Sequence, residues 1–184
     1  MRCALLVIDV QQALCEGEHA AFECMGVIAR INRVSAKARA AGAPVVFIQH
    51  ESAAGELAHG SPGWQLARGL QAEPGDLRVR KTTPDSFHRT ELEAILRRHS
   101  IAGLVICGMH TEFCVDTTTR RALALGYPVV LVEDAHTSAG NRHLPAPLVI
   151  RHHNETLGAI VSFGARATPL PALQVRFQEA GHGI

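Results

Sequence analysis

Four stretches of this chain, residues 4–8, 44–48, 104–107 and 129–132, are nearly unbroken apolar runs (ALLVI, PVVFI, LVIC and VVLV). They lack the alternation of a strand with one wet face, and at four or five residues they are shorter than a typical helix. Such runs belong to strands covered on both sides, the usual condition of a parallel sheet. A more polar segment at 77–80 (LRVR) reads as a further strand.

Helical patterns fill the intervals. Over 22–41, Cys24, Ile28, Ile31, Val34 or Ser35, Ala38 and Ala41 recur at helical spacing, and Gly42 supplies a stop. A second helix is expected from Thr90, with Glu93 completing a capping box and Leu92, Ile95 and Leu96 facing the sheet. A third spans 112–125 and ends at Gly126; a fourth follows Asn154 and carries Leu157, Ile160 and Val161. Strands alternating with helices predict right-handed crossovers. The expected fold is α/β, a three-layer α/β/α sandwich with a mostly parallel, Rossmann-like central sheet. No linker divides the chain, so residues 1–184 read as one domain. The Gly-, Pro-, Ala- and Ser-rich stretch 51–76 is a loop excursion with a short helix near 64–68. The tail after Gly164 holds at most a short edge strand, and 181–184 is expected to be loose.

Composition narrows the function. Hydrophobic residues make up 47% and charged residues 19%, enough apolar content for a packed core. A formal charge of +1 without a basic block gives no support to nucleic-acid binding. No run of 18 apolar residues suggests a membrane span, and the apolar run at 4–8 is too short for a signal peptide. Five cysteines without a CxxC pair argue against a disulfide framework and against dithiol redox chemistry, so a cytoplasmic setting is expected.

Sites in open parallel sheets form beyond the carboxyl ends of the strands. Asp9, Gln11 and Gln12 follow the first strand, and Gln49, His50 and Glu51 the second. Lys81 follows the third, Gly108 to Cys114 the fourth, and Glu133, Asp134 and His136 the fifth. Neither G-x-G-x-x-G nor a phosphate loop is present, and no cofactor is expected. Cys114 falls near a helix start, where backbone N–H groups favour negative charge, which predicts a lowered thiol pKa and a nucleophile. Its alternative role is a small buried core hydrophobe. Asp9 is placed to accept a proton from the sulfur or to cap the following loop. Lys81 is placed to balance the pair or to stand as a solvated charge.

The segments Leu5-Leu6-Val7-Ile8-Asp9-Val10-Gln11, Arg80-Lys81-Thr82-Thr83-Pro84-Asp85-Ser86-Phe87 and Gly108-Met109-His110-Thr111-Glu112-Phe113-Cys114-Val115 occur in that order. Gly126-Tyr127-Pro128-Val129 leads on to Asp134-Ala135-His136-Thr137. On these motifs the chain resembles the isochorismatase-like cysteine hydrolases, over about residues 4 to 163. That superfamily includes isochorismatase, nicotinamidase and N-carbamoyl amino-acid amidohydrolases. The resemblance implies a nucleophile at Cys114, a general acid/base at Asp9 and an electrostatic partner at Lys81. It also implies a non-proline cis peptide joining Met109 and His110, and an oxyanion hole of backbone N–H groups near His110 and Cys114. A homo-oligomer, dimer or larger, is a further implication.

The expected activity is cleavage of a non-peptide C–N bond in a small amide, ureido or carbamoyl compound through a thioester. Gln12, His50, Trp64, Phe87, His110 and Glu112 are the candidate substrate-lining residues, Trp64 lying in the excursion that would cover the site. Cys114 disfavours isochorismatase chemistry, which needs no cysteine nucleophile. Nicotinamidases carry a metal on an Asp-x-His segment after the second strand, where this chain has Gln49-His50-Glu51, with His59 farther on. No metal is therefore expected, although His50, Glu51 and His59 are of suitable type. His152 and His153, expected just before the last helix, read as loop or packing residues rather than ligands. A metal-assisted nicotinamidase-type amidase and a catalytically silent small-molecule-binding scaffold are the alternatives.

Overall fold

A computed structural model describes residues 1–18 and 20–178. The strands are β1 (Cys3–Ile8), β2 (Val45–His50), β3 (Leu77–Lys81), β4 (Gly103–Met109), β5 (Val129–Thr137) and β6 (Ala167–Leu170). They form one sheet of order β3-β2-β1-β4-β5-β6, parallel throughout. The helices are α1 (Gln12–Cys15), α2 (Cys24–Ala40), α3 (Leu92–Arg98), α4 (Asp116–Ala124) and α5 (Ala146–Gly158), with a π-helical turn at Thr111–Val115.

The continuous apolar runs are explained by a core on each face. Ala4, Leu6 and Ile8 of β1 point into a cluster with Leu92, Ile95 and Leu96 of α3, Ala122 and Leu123 of α4, and Leu157 of α5. Leu5 and Val7 point the other way, into Val27, Ile28, Ile31 and Val34 of α2, joined by Ala172 and Val175 of the tail. Helix α2 buries Cys24, Val27, Ile28, Ile31, Val34, Ser35 and Ala38, a stripe of period 3.6. It ends where Gly42 takes φ +68° and the Ala43 N–H returns to the Ala38 carbonyl.

Several local expectations are corrected. The second helix begins at Leu92; Thr90 Oγ1 accepts from the Leu92 N–H at 3.3 Å, while the Glu93 carboxylate turns to Arg97, so no capping box closes. The last helix starts at Ala146 instead of after Asn154, and its sparse inward positions Ala146, Val149 and Leu157 conceal the period. His152 and His153 therefore lie within α5, and Ile160 and Val161 beyond its end. No helix forms near 64–68, because the backbone there pairs sideways: Gln65 and Gly63 carbonyls accept from Gln12 and Ala13, and the Ala67 N–H donates to Val10. Strand β5 runs on to Thr137 through a register irregularity, so Glu133, Asp134 and His136 belong to the strand rather than following it. The edge strand β6 forms; residues 181–184 lie outside the described residues. None of the described helices is long and apolar enough to cross a membrane.

At the carboxyl edge, Ile8 of β1 pairs with Gly108 of β4. Gly108 has φ +121°, and a Cβ there would stand 2.0 Å from the Ile8 carbonyl oxygen. Glycine is required for both reasons, and the close approach brings the ends of β1 and β4 side by side.

Candidate active site

Four side chains converge on that edge. Asp9 follows β1 in a left-handed conformation (φ 52°), which Asp tolerates better than most residues, while its N–H stays bonded to Ile48 of β2. His50 and Lys81 are the last residues of β2 and β3. Cys114 stands on the π-helical turn after β4.

Lys81 is the hub. Its Nζ donates to Asp9 Oδ2 at 2.6 Å, to Cys114 Sγ at 3.2 Å and to the Thr83 carbonyl at 3.2 Å, and lies 3.4 Å from His50 Nδ1. The Lys81 and Asp9 side chains are 0% and 1% exposed, so this ion pair is fully withdrawn from water. Such a pair tolerates the loss of neither partner.

The electrostatics correct the expectation of a lowered thiol pKa. Burial, reinforced by the negative charge and hydrogen bond of Asp9 and only partly opposed by Lys81, pushes the Cys114 thiol up to about 12. At rest the group is a neutral thiol beside a carboxylate–ammonium pair. A helix start favours a thiolate in an open site; here desolvation and a neighbouring carboxylate outweigh it.

Asp9, His50 and Cys114 each place a ligand-type atom within 4.8 Å of the others, the geometry of a possible cation site. The Lys81 ammonium, however, stands 2.6 to 3.4 Å from an atom of each. A metal ion bound by these three would have to share the space with a fixed positive charge. Elsewhere, Glu51 is held by Arg80 at 2.7 and 3.0 Å, and His59 packs edge-on against Trp64 with ring centroids 4.7 Å apart. The donors present do not fit a divalent cation.

The remaining candidates separate. Glu112 Oε1 accepts from Ser138 Oγ at 2.7 Å, leaving Oε2 buried without a partner. His110 Nε2 and Trp64 Nε1 are likewise buried and unpartnered among the described residues, as is Asp9 Oδ1. Burial lowers the His110 pKa, with Glu112 and Asp9 acting against it, which keeps the ring neutral. His50 is also lowered, by burial and then by Lys81. The Met109–His110 peptide is cis. Within the turn the His110 carbonyl accepts from the Phe113 and Val115 N–H groups, while the Cys114 N–H between them finds no backbone acceptor outside the turn among the described residues.

Two candidates lie apart from this cluster. Phe87 is buried in the core, its ring stacked on Tyr127 at 6.3 Å, because the segment after Lys81 turns inward beneath α4. Gln12 sends its amide to the Leu66 carbonyl and lines a surface hollow with Glu16, Glu56 and Arg68. Its neighbour Gln11 takes the inward position, fully buried and bonded to His50 and Trp64. The location of Gln11 two residues after Asp9, just past the end of β1, is the available signal. Thr111, His136 and the half-buried Asn154 form a further hydrogen-bonded chain behind the turn; the sequence marks His136 at the end of the fifth strand but not its link to Thr111 and Asn154.

The family model described as the Isochorismatase domain matches residues 3–149. The chain belongs to the isochorismatase family. Among its relatives within and around that family, streptothricin hydrolase of Streptomyces noursei is 38% identical over 176 residues, covering 91% of this chain and 64% of that protein. The chain thus spans less than two thirds of that relative's length. Ureidoacrylate amidohydrolase RutB of Variovorax paradoxus is 33% identical, with 74% of this chain and 69% of that protein covered. A crystal structure of an isochorismatase family protein superposes with a TM-score of 0.83 at 36% identity, covering 91% of this chain and 97% of the other. This isochorismatase-family chain therefore shares its six-stranded parallel sheet and flanking helices with solved members.

Proposed function

We propose that the protein is a cysteine hydrolase that cleaves a non-peptide C–N bond of a small amide, ureido or carbamoyl compound through a thioester on Cys114. The observation that carries the reading is the Lys81 ammonium bonded at once to Asp9 and Cys114. The names of two relatives, a streptothricin hydrolase and a ureidoacrylate amidohydrolase, are in keeping with it.

The high thiol pKa sets the first step. Asp9 takes the Cys114 proton as the sulfur attacks the carbonyl carbon, so the C–S bond forms without a standing thiolate. Negative charge leaves Asp9 and reaches the sulfur and then the carbonyl oxygen, and Lys81 touches both Asp9 and Cys114 throughout. The backbone N–H groups of His110 and Cys114 are the candidate donors to the oxyanion. Asp9 returns its proton to the departing nitrogen, the C–N bond breaks, and ammonia or an amine leaves. Asp9 then accepts a proton from water as the water attacks the thioester, and returns a proton to the sulfur when the acid departs. The unpartnered atoms of Trp64, His110 and Glu112 are the polar groups available to orient the substrate.

The test is release of ammonia or amine from a panel of small amides, ureido and carbamoyl compounds, with Cys114→Ala as control and mass spectrometry of the acylated protein. Turnover that survives in Cys114→Ala would sink the covalent mechanism. Binding of a panel compound without turnover in the unmodified protein would favour the silent scaffold.

A further inference from the structure

Behind the turn that carries Cys114 runs a chain of polar groups, buried at Thr111 and His136 and half-buried at Asn154, that the proposed chemistry does not use. Thr111 Oγ1 lies 2.8 Å from His136 Nδ1, His136 Nε2 lies 2.8 Å from Asn154 Oδ1, and Asn154 Nδ2 donates to the Glu133 carbonyl at 3.1 Å. Thr111 is 0% and His136 1% exposed. The chain links the π-helical turn to β5 and α5.

Its proton pattern follows from the far end inward. The Glu133 carbonyl can only accept, so the Asn154 amide must turn its NH2 toward it. Asn154 then presents its oxygen to His136, and Nε2 must carry the hydrogen. Burial holds His136 neutral, its pKa lowered to about 4. A neutral imidazole with Nε2–H has a bare Nδ1, which accepts the Thr111 hydroxyl proton. Every donor in the chain meets an acceptor, and reversing one bond would set two acceptors or two donors face to face.

Thr111 opens the turn, and the next residue is fixed just past the end of β5, Glu112 accepting from Ser138 two residues beyond His136. Consecutive residues of the turn are thus tied to His136 in β5 and to Ser138 immediately after it. We propose that His136 and Asn154 are positioning residues for Cys114, locking one imidazole tautomer so that Thr111 fixes the turn in the orientation that holds the sulfur against Asp9 and Lys81. The proposal rests on the reading of Cys114 as nucleophile.

The experiment has two arms, one independent of catalysis. In 15N-histidine NMR of the unmodified protein, His136 is expected as a neutral ring, protonated at Nε2 and bare at Nδ1. A ring protonated at Nδ1, or at both nitrogens near neutral pH, overturns the proposal whatever the enzyme does. In kinetics, Thr111→Val keeps the shape and removes the hydroxyl. It is expected to lower kcat about 10- to 100-fold, the scale of a small misplacement of a reacting group, with KM within about twofold. Thr111→Ser is expected to restore kcat. Equal turnover by Thr111→Val and the unmodified enzyme, or loss in Thr111→Ser as deep as in Thr111→Val, rejects the positioning role. If Thr111→Val does not fold, the NMR spectrum and the Thr111→Ser kinetics decide. Failure of the nucleophile reading is separately visible as turnover retained in Cys114→Ala.

Discussion

Gln11 and His50 are bonded in both directions: the His50 N–H donates to Gln11 Oε1 at 2.8 Å, and Gln11 Nε2 donates to the His50 carbonyl at 2.9 Å. A side-chain amide here stands in for a neighbouring strand where β1 has already turned away at Asp9. The same Nε2 also reaches the Trp64 carbonyl at 2.9 Å, so one residue joins the end of β2 to the excursion at 51–76.

Gln11→Leu keeps the volume and leaves three backbone groups without this partner. The expected loss of stability is about 2–4 kcal/mol by urea denaturation, given about 1–3 kcal/mol for each buried group left unmade. Amide hydrogen exchange should quicken across residues 61–67 and remain unchanged in β4.

Asp9→Asn separates two properties that usually fall together. Turnover is expected to drop by at least about a hundredfold, since the proton acceptor is gone. Removing the carboxylate also removes an influence that raises the Cys114 thiol pKa. Alkylation of Cys114 by iodoacetamide at pH 8 should therefore be faster in Asp9→Asn than in the parent. In the parent, the rate should still be climbing well above pH 9, where free cysteine has levelled off. A parent profile that levels off near neutral pH would mean a standing thiolate.

Lys81→Met removes the only counter-charge hydrogen-bonded to Asp9 among the described residues and leaves a carboxylate 1% exposed. Stability should fall by about 3–5 kcal/mol at pH 7. The double variant Lys81→Met with Asp9→Asn should recover much of that loss, which a denaturation cycle measures.

Gly108→Ala should cost more than about 3 kcal/mol and abolish turnover, because a methyl group at φ +121° meets the Ile8 carbonyl oxygen at 2.0 Å. The same change at Gly126, which also has positive φ but nothing within 4 Å, should cost only about 1 kcal/mol. Comparing their melting temperatures checks the steric part of the claim.

His136 gives a pH signature. Its folded pKa of about 4 lies below the ordinary histidine value, so the unfolded chain binds the extra proton first as the solution is acidified. The associated stability is present above about pH 6.5 and is lost as pH falls toward 4, by about 3 kcal/mol. His136→Gln should flatten that slope in denaturation curves taken across this window.

The sheet was legible because β1, β2, β4 and β5 are buried on both faces, and burial of that kind writes itself as unbroken apolar runs. The sequence places helix α5 too far along the chain because only three of its thirteen residues are buried, too few to display a period. At the site, Asp9 follows β1, Lys81 ends β3 and Cys114 lies in the first turn after β4, so position near strand ends in the chain predicts their meeting. The charge state of Cys114 was misjudged because a helix start is a local feature, whereas desolvation and the Asp9 contact arise from segments a hundred residues apart. Gln11 was passed over for Gln12 because which of two adjacent glutamines points inward depends on the turn at Asp9, whose φ no pattern of residue types displays. The chain from Thr111 to Asn154 depends on how far β5 continues past its register irregularity, which is equally a matter of packing.

The rung at which Ile8 meets Gly108 has a consequence for how this molecule can diversify. Counted from that rung, the carboxylate is one residue beyond Ile8 and the sulfur six residues beyond Gly108. Lys81 is aligned across His50 by the neighbouring pair of strands. The carboxylate, the ammonium and the sulfur are thus placed from paired strand ends, while the segment at 51–76, a loop of the kind most open to insertion, leaves the sheet after His50 and re-enters it before Leu77. Lengthening or rewriting that segment shifts none of these strand ends in register, so the proposed reaction centre can be offered to new molecules by editing a single loop.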